Sequence, residues 1–226
     1  MNLLIKAYAL FLFLFVNSMC VAQQEEKFSV GRSDTVAANM RNFRPRLLTL
    51  SIDGYSPIPS GNKFVGQAME GKFGISLKFQ MMVYKQFFVS IGVGETYFNV
   101  NDISIVGNYR STRVSNQYVT IGYEFLPVEK IRLGIGIGIL GRADYTNKFR
   151  EGISVIQKDT AKLNIYELYI DYEVFYFMAV TFNYAYRNDR TKIDIPEELQ
   201  STFDRAQFHN VGIGIKFYLG DNNLFH

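Results

Sequence analysis

The sequence predicts an all-β protein, an eight-stranded antiparallel up-and-down transmembrane β-barrel, on three observations. From about residue 46 onward, apolar residues alternate with small or polar ones at period two, and the pattern recurs eight times. The connections between the eight segments alternate between long and short. After the first residues, no stretch reaches the 18 or more apolar positions of a membrane helix, so a chain that spans a bilayer here must close into a barrel.

Residues 1–22 read as a secretory signal peptide. Lys6 precedes an apolar run from Ala7 to Val16, and Cys20 and Ala22 hold the small-residue positions before a cleavage that leaves Gln23 first. The mature chain would then contain no cysteine. Taking Cys20 as a lipidated cysteine fits less well, because Asn17-Ser18-Met19 lacks the leucine and the small residue of a lipobox. Residues 23–45 are polar, with one helical pattern: Ser33-Asp34 as cap, Val36, Met40 and Phe43 at helical spacing, and Pro45 as a stop. They predict a short helix of about ten residues, marginal alone, that docks loosely, meets a partner or stays disordered.

The barrel is expected over 46–219, with strands at 46–55, 72–84, 87–99, 114–126, 131–142, 163–175, 177–187 and 207–219, followed by a tail at 220–226. In the fifth segment Ile131, Leu133, Ile135, Ile137 and Ile139 share one face, and Arg132, Gly134, Gly136 and Gly138 the other. A glycine face would be a poor soluble exterior, which argues against a lipocalin-like barrel with its apolar face inside. Inward glycines instead make room for long side chains from neighbouring strands. The expected long connections run to about 14 to 20 residues, well above the usual 4 to 6. The short ones are Lys85-Gln86, Pro127 to Lys130, and Phe175-Tyr176. Tight turns on one side and long loops on the other are the pattern of membrane barrels. Two aromatic girdles are expected, with Tyr84, Phe87, Phe88, Phe125, Phe175, Tyr176, Phe177 and Phe217 at the tight-turn side and Tyr97, Tyr166, Tyr184, Tyr186 and Phe208 at the loop side.

These features, together with the final strand Val211-Gly212-Ile213-Gly214-Ile215-Lys216-Phe217-Tyr218-Leu219, resemble the small outer-membrane barrel family of Gram-negative bacteria, similar to the OmpA transmembrane domain and OmpX-like proteins. The resemblance covers about Arg46 to Leu219 and implies a cell-envelope location in the outer membrane, with residues 23–45 in the periplasm. It also implies contact with outer-membrane lipid and lipopolysaccharide, and a C-terminal strand read by the barrel-assembly machinery. Family members end at an aromatic residue of that strand, whereas this chain continues to His226, so Phe217 and Phe225 compete for the terminal role.

The sequence offers no catalytic constellation, and an enzyme is not expected. Gly136-Ile137-Gly138-Ile139-Leu140-Gly141 matches a dinucleotide-binding pattern, but its glycines lie within a strand and no helix opens after them. His209 sits near the loop-side rim, yet Val211 stands where the lipid A deacylases carry serine, and a base without a nucleophile performs no acyl transfer. Two histidines and no mature cysteine argue against a metal, and no cofactor is expected. A net charge of only +3 without a basic face argues against nucleic acid.

The informative residues are the inward charges. Lys78, Glu124, Arg132, Asp171, Glu173 and Lys216 share inward parity in the tight-turn half, with Glu167 higher and Asp53 near the loop-side end of the first strand. An eight-stranded barrel is just wide enough for its own side chains, so these charges are expected to form a lumen network that closes the barrel. A turn centred on Val128 would set Glu124 opposite Arg132, with Asp171 and Glu173 on the other side. The functional expectation is a structural, adhesive or assembly component acting through its loops, with an envelope protein as a further partner. Loop cations including Lys63, Arg110, Arg113, Lys148, Arg150, Lys158, Lys162, Arg190, Lys192 and Arg205 would face lipopolysaccharide phosphates. The alternative is a narrow porin-like channel for small solutes.

Overall fold

Eight strands follow one another in the chain, each antiparallel to the next, and β8 closes on β1. The computed structural model describes residues 46–150, 156–193 and 195–220. The expected signal peptide, the helix within 23–45, and Phe225 and His226 lie outside the described residues. The strands are β1 (Leu48–Ser60), β2 (Met69–Tyr84), β3 (Phe87–Val100), β4 (Tyr109–Val128), β5 (Ile131–Phe149), β6 (Ile156–Phe175), β7 (Met178–Lys192) and β8 (Arg205–Leu219). Three short helices sit in the loop-side connections: α1 (Phe64–Ala68), α2 (Ile103–Val106) and α3 (Glu197–Phe203).

The strand alternation of the sequence becomes a two-faced wall. Ile52, Ile75, Leu77, Ile91, Val93, Ile121, Ile135, Ile137, Leu168, Ile213 and Ile215 are exposed on the exterior, a continuous apolar band that water would not tolerate and lipid would. The shear is read from the pairing. A row that leaves β1 at Leu48 passes through Met81, Val89, Ile121, Ile137, Tyr166, Tyr186 and His209 and returns to β1 at Ile58, ten residues further along. With strands about 4.8 Å apart and rising about 3.3 Å per residue, that offset corresponds to a tilt of roughly 40°.

The strands extend further on the loop side than the sequence predicts. β4 and β6 have 20 residues each and β5 has 19. At that tilt a 20-residue strand climbs about 50 Å, twice the apolar band of about 25 Å, so this wall stands well clear of the bilayer. The long connections shrink accordingly to 61–68, 101–108, 150–155 and 193–204, and Arg110, Arg113, Lys148, Lys158, Lys162, Arg190, Lys192 and Arg205 belong to strands, not loops. Beyond the membrane the outward residues are polar, so the contrast that marks a strand in the sequence fades there.

Two of the bulges, both between β4 and β5, decide which residues face the lumen. Phe125 pairs with Leu133 and Val128 with Ile131, which leaves Leu126 and Pro127 opposite the single residue Arg132. Pro127 has no backbone N–H to offer the ladder, and a bulge is where a strand tolerates it. Glu124 therefore pairs with Gly134, two residues from the expected Arg132. Higher on β5, Val119 pairs with Leu140 and Thr120 with Gly138, so Ile139 is an extra residue. Below it Gly134 and Gly136 face inward; above it Ala143 and Tyr145 do, and Arg142 and Asp144 face out.

Two expected girdle aromatics point inward instead. Phe88 and Phe208 are buried in the lumen, because even positions face inward on β3 and β8. The turns are tighter than predicted at Glu129-Lys130, and shifted by one residue to Tyr176-Phe177.

Candidate functional site

The lumen is filled in three layers. In the layer nearest the tight turns, Arg132 Nη1 donates to Glu124 Oε1 at 3.1 Å, and its Nη2 lies 3.8 Å from Glu173 Oε2. Arg46 donates to the other Glu173 oxygen at 3.0 Å, and both guanidiniums lie against the Tyr218 ring. Glu124 also accepts from the Tyr169 hydroxyl at 2.6 Å and from Gln80 at 3.4 Å. Lys216 Nζ is 2.5 Å from Asp171 Oδ2 and 3.6 Å from the centre of the Tyr169 ring.

The six charges singled out in the sequence thus lie in or next to this layer, but their partners differ in part. Asp171 is directly across the sheet from Arg132, yet its ion pair is with Lys216. Lys78 belongs one layer higher, where its ammonium is 2.8 Å from Glu167 Oε1, which also accepts from Tyr118 at 3.0 Å. Asp53 completes that middle layer by accepting from Asn183 at 2.9 Å. A cavity of about 40 Å³ remains among Asp53, Lys78, Tyr118, Glu167 and Asn183, room for a few waters at most.

The inward glycines explain how so many long side chains fit. A Cβ at Gly134 would collide with the Tyr169 ring, one at Gly92 with Tyr118, and one at Gly122 with Phe88. Each glycine lies beside the large residue of an adjoining strand, so ring and glycine together occupy one residue's share of the lumen.

The uppermost layer contains a pair that the sequence reading missed. Arg187, 1% exposed, donates from Nη2 to Asp189 Oδ2 at 2.5 Å and from Nε to Oδ1 at 3.3 Å. Tyr145 donates to Asp189 at 2.7 Å, and the guanidinium lies over the Phe208 ring at 4.6 Å. Strict alternation from Ala179 through Thr181 and Asn183 places both residues inside, but the predicted strand ends at Arg187 and so leaves Asp189 out. Above the pair, α1 folds its Phe64, Val65 and Ala68 into the mouth against Tyr145, Val114, Leu163 and Phe208, and Phe203 stacks on Phe64. In the neighbouring loop, Asp102 caps α2: Ser104 N–H and Oγ–H both donate to its carboxylate, which holds it below its usual pKa.

His209 faces outward. Its Nδ1 is 2.7 Å from the Tyr184 hydroxyl and its ring rests on Tyr186, with Tyr166 stacked on Tyr186 beyond. These residues form part of the loop-side aromatic girdle. Among the described residues no group of three His, Cys, Asp or Glu side chains could hold a metal ion.

No family model matches the sequence, and no curated protein matches it. Solved structures do match. Neisserial surface protein A (NspA) superposes with a TM-score of 0.54 at 11% identity, over 76% of this chain and 97% of that one. OprG from Pseudomonas aeruginosa gives 0.49 at 14% identity, over 79% and 99%, and Ail of Yersinia pestis 0.47 at 12%, over 77% and 99%. At such identity the likeness is one of fold. With its closed antiparallel sheet, apolar exterior and tight turns on one side only, the chain has the fold of the small eight-stranded outer-membrane β-barrels.

Proposed function

We propose that this barrel works through its extracellular surface, as a structural, adhesive or assembly component of the envelope, and that its lumen is closed. The observation that carries the reading is the layered filling of the lumen, which leaves only a small cavity in its middle layer. Two layers of paired charge, a buried Arg187–Asp189 pair and an apolar plug from α1 follow one another from the tight turns to the mouth. A conducting pore needs connected water, and the mid-lumen cavity, about 40 Å³, is small. The tall wall of β4 to β6 supports the surface role, because it offers a partner a rigid sheet where a mobile loop would lose ordering entropy on binding. Export by the signal peptide, insertion by the barrel-assembly machinery through β8, contact with lipopolysaccharide and an envelope protein partner belong to the same reading.

Planar-bilayer recording on the purified protein tests the closed lumen. Small or no conductance is expected, and large steady single-channel currents would favour the porin-like alternative. A pull-down from gently solubilised outer membranes then separates a lone barrel from an assembly component.

A further inference from the structure

The outer faces of β6, β7 and β8 carry four successive rows of directly paired side chains, each row of one chemical kind. Highest above the membrane is Lys162–Arg190–Arg205, which Arg142 of β5 extends by pairing with Lys162. Next comes Asn164–Asn188–Gln207, then Tyr166–Tyr186–His209, and last the apolar-faced Leu168–Tyr184–Val211. The alternation puts all four rows on the exterior, and all four cations of the top row are exposed.

Cations directly opposite one another on a sheet repel and destabilise it. Here the repulsion is relieved only at the ends of the row, where Arg142 Nε is 2.9 Å from Asp144 and Arg205 Nε is 3.6 Å from Asp204, itself shared with Lys63. Among the described residues, neither Lys162 nor Arg190 has a carboxylate within ion-pair distance. Lys158 and Lys192 add charge of the same sign on the outward parity of the same strands. The opposite wall is mixed: the loop-side ends of β2 to β4 carry Lys72, Arg110 and Arg113 together with Glu70 and Glu95, and Arg113 Nη1 is 3.6 Å from Glu95 Oε1. What sets the β5 to β8 side apart is the directly paired row of four cations.

The spacing fits a lipid. Four residues separate the cation row from the aromatic row, which at about 3.3 Å per residue and a tilt of roughly 40° is about 10 Å of height. Aromatic side chains mark the hydrocarbon boundary, so the amides lie in the headgroup layer and the cations at its outer side. Because the strands tilt, the rows climb from β5 to β8, and the four cations span about 14 Å obliquely.

We propose that this face of β5 to β8 is a binding site for a phosphorylated glycolipid of the outer leaflet. Lys162 and Arg190, assisted by Arg142 and Arg205, would hold its phosphates. The amide row would meet sugar hydroxyls, the Tyr166–Tyr186–His209 row would cover the sugar–acyl junction, and the acyl chains would lie on the apolar rows below. The inference rests on the outer-membrane placement, which membrane fractionation checks separately.

The test uses the refolded full chain in nonionic micelles and two probes, a lipid A carrying two phosphates and the same lipid after phosphatase treatment. The parent should bind the phosphorylated lipid at least tenfold more tightly. Lys162→Gln with Arg190→Gln should erase most of that preference, a loss on the order of tenfold to a hundredfold, where each tenfold is about 1.4 kcal/mol. Lys72→Gln with Arg110→Gln removes the same charge elsewhere on the rim, from exposed positions of β2 and β4, and should leave it nearly intact. Retained heat-modifiable migration shows that each variant still forms the barrel. Equal affinity of the parent for both lipids, or an equal loss in the two variants, overturns the proposal. Competition by an acyl-free phosphorylated sugar at the same concentration as the lipid overturns its assignment to a lipid.

Discussion

Arg132→Ala probes the lumen network most directly, and the structure sets how much it should cost. The side chain is 2% exposed and bridges Glu124 and Glu173. Removing one partner of a buried ion pair typically costs about 3 to 5 kcal/mol, because the remaining charge is left without compensation. Here neither carboxylate is abandoned: Glu124 keeps the Tyr169 hydroxyl and Gln80, and Glu173 keeps Arg46. Hydrogen bonds to a charged group contribute roughly 1.5 to 3 kcal/mol each, so the loss should fall near the lower end, about 3 kcal/mol. Lys216→Ala is harsher, since that ammonium is the sole ion-pair partner of the fully buried Asp171 among the described residues. The assay is reversible urea unfolding of protein refolded into vesicles, followed by heat-modifiable migration. Lys216→Ala should lose more than Arg132→Ala, and Arg132→Ala with Glu124→Ala should recover part of the single loss. An Arg132→Ala protein as stable as the parent, or a double variant whose losses simply add, would refute the network.

Ile135→Arg puts a charge on the exposed apolar band and should cost roughly 2 to 4 kcal/mol, the range for arginine at the bilayer midplane; unfolding in vesicles unchanged from the parent would mean that the two faces are inverted. Gly134→Ala should destabilise by about 1 to 3 kcal/mol, because its methyl collides with the packed Tyr169 ring. Gly136→Ala meets Glu167 and Phe88 only at 3.6 Å and should match or slightly exceed the parent, since alanine loses less backbone entropy. Equal effects at the two glycines in the same unfolding assay would contradict the packing described.

What could be read from the sequence follows where solvent contrast is greatest. Within the bilayer one face must be apolar, so Ile135, Leu77 and Ile213 announce both strand and orientation. Above it Lys158, Lys162 and Arg190 face water from strands that look like loops, which is why the wall of β4 to β6 was cut short and the paired rows of cations went unseen as rows. Parity alone identifies the lumen charges and the partners Glu124 and Glu173 of Arg132, but not the pairs Lys216–Asp171 and Lys78–Glu167. Arg132 meets Glu124 diagonally because the Leu126-Pro127 bulge shifts the pairing by two residues, and Lys216 reaches Asp171 over the intervening β7, past the small Ala179. Arg187 and Asp189 obey the same parity, but Arg187 is the last residue of the predicted strand and Asp189 falls two residues beyond it, so the pair is not visible as one.

The extra residue at Ile139 imposes a rule of phase on the upper part of β5. Deleting Ile139 itself would only remove the bulge, because Leu140 would then follow Gly138 in the register both already hold. Deleting Gly141, just above it, would leave the lipid-facing half untouched while turning the taller half inside out: Tyr145 would leave Asp189, and Arg142 and Asp144 would enter the apolar mouth. Between that point and the β5–β6 connection, only paired insertions or deletions preserve which side of the wall each residue occupies. The height of this hairpin above the cell surface is therefore adjustable in two-residue steps, and relatives of this chain with taller or shorter walls should differ there by even numbers.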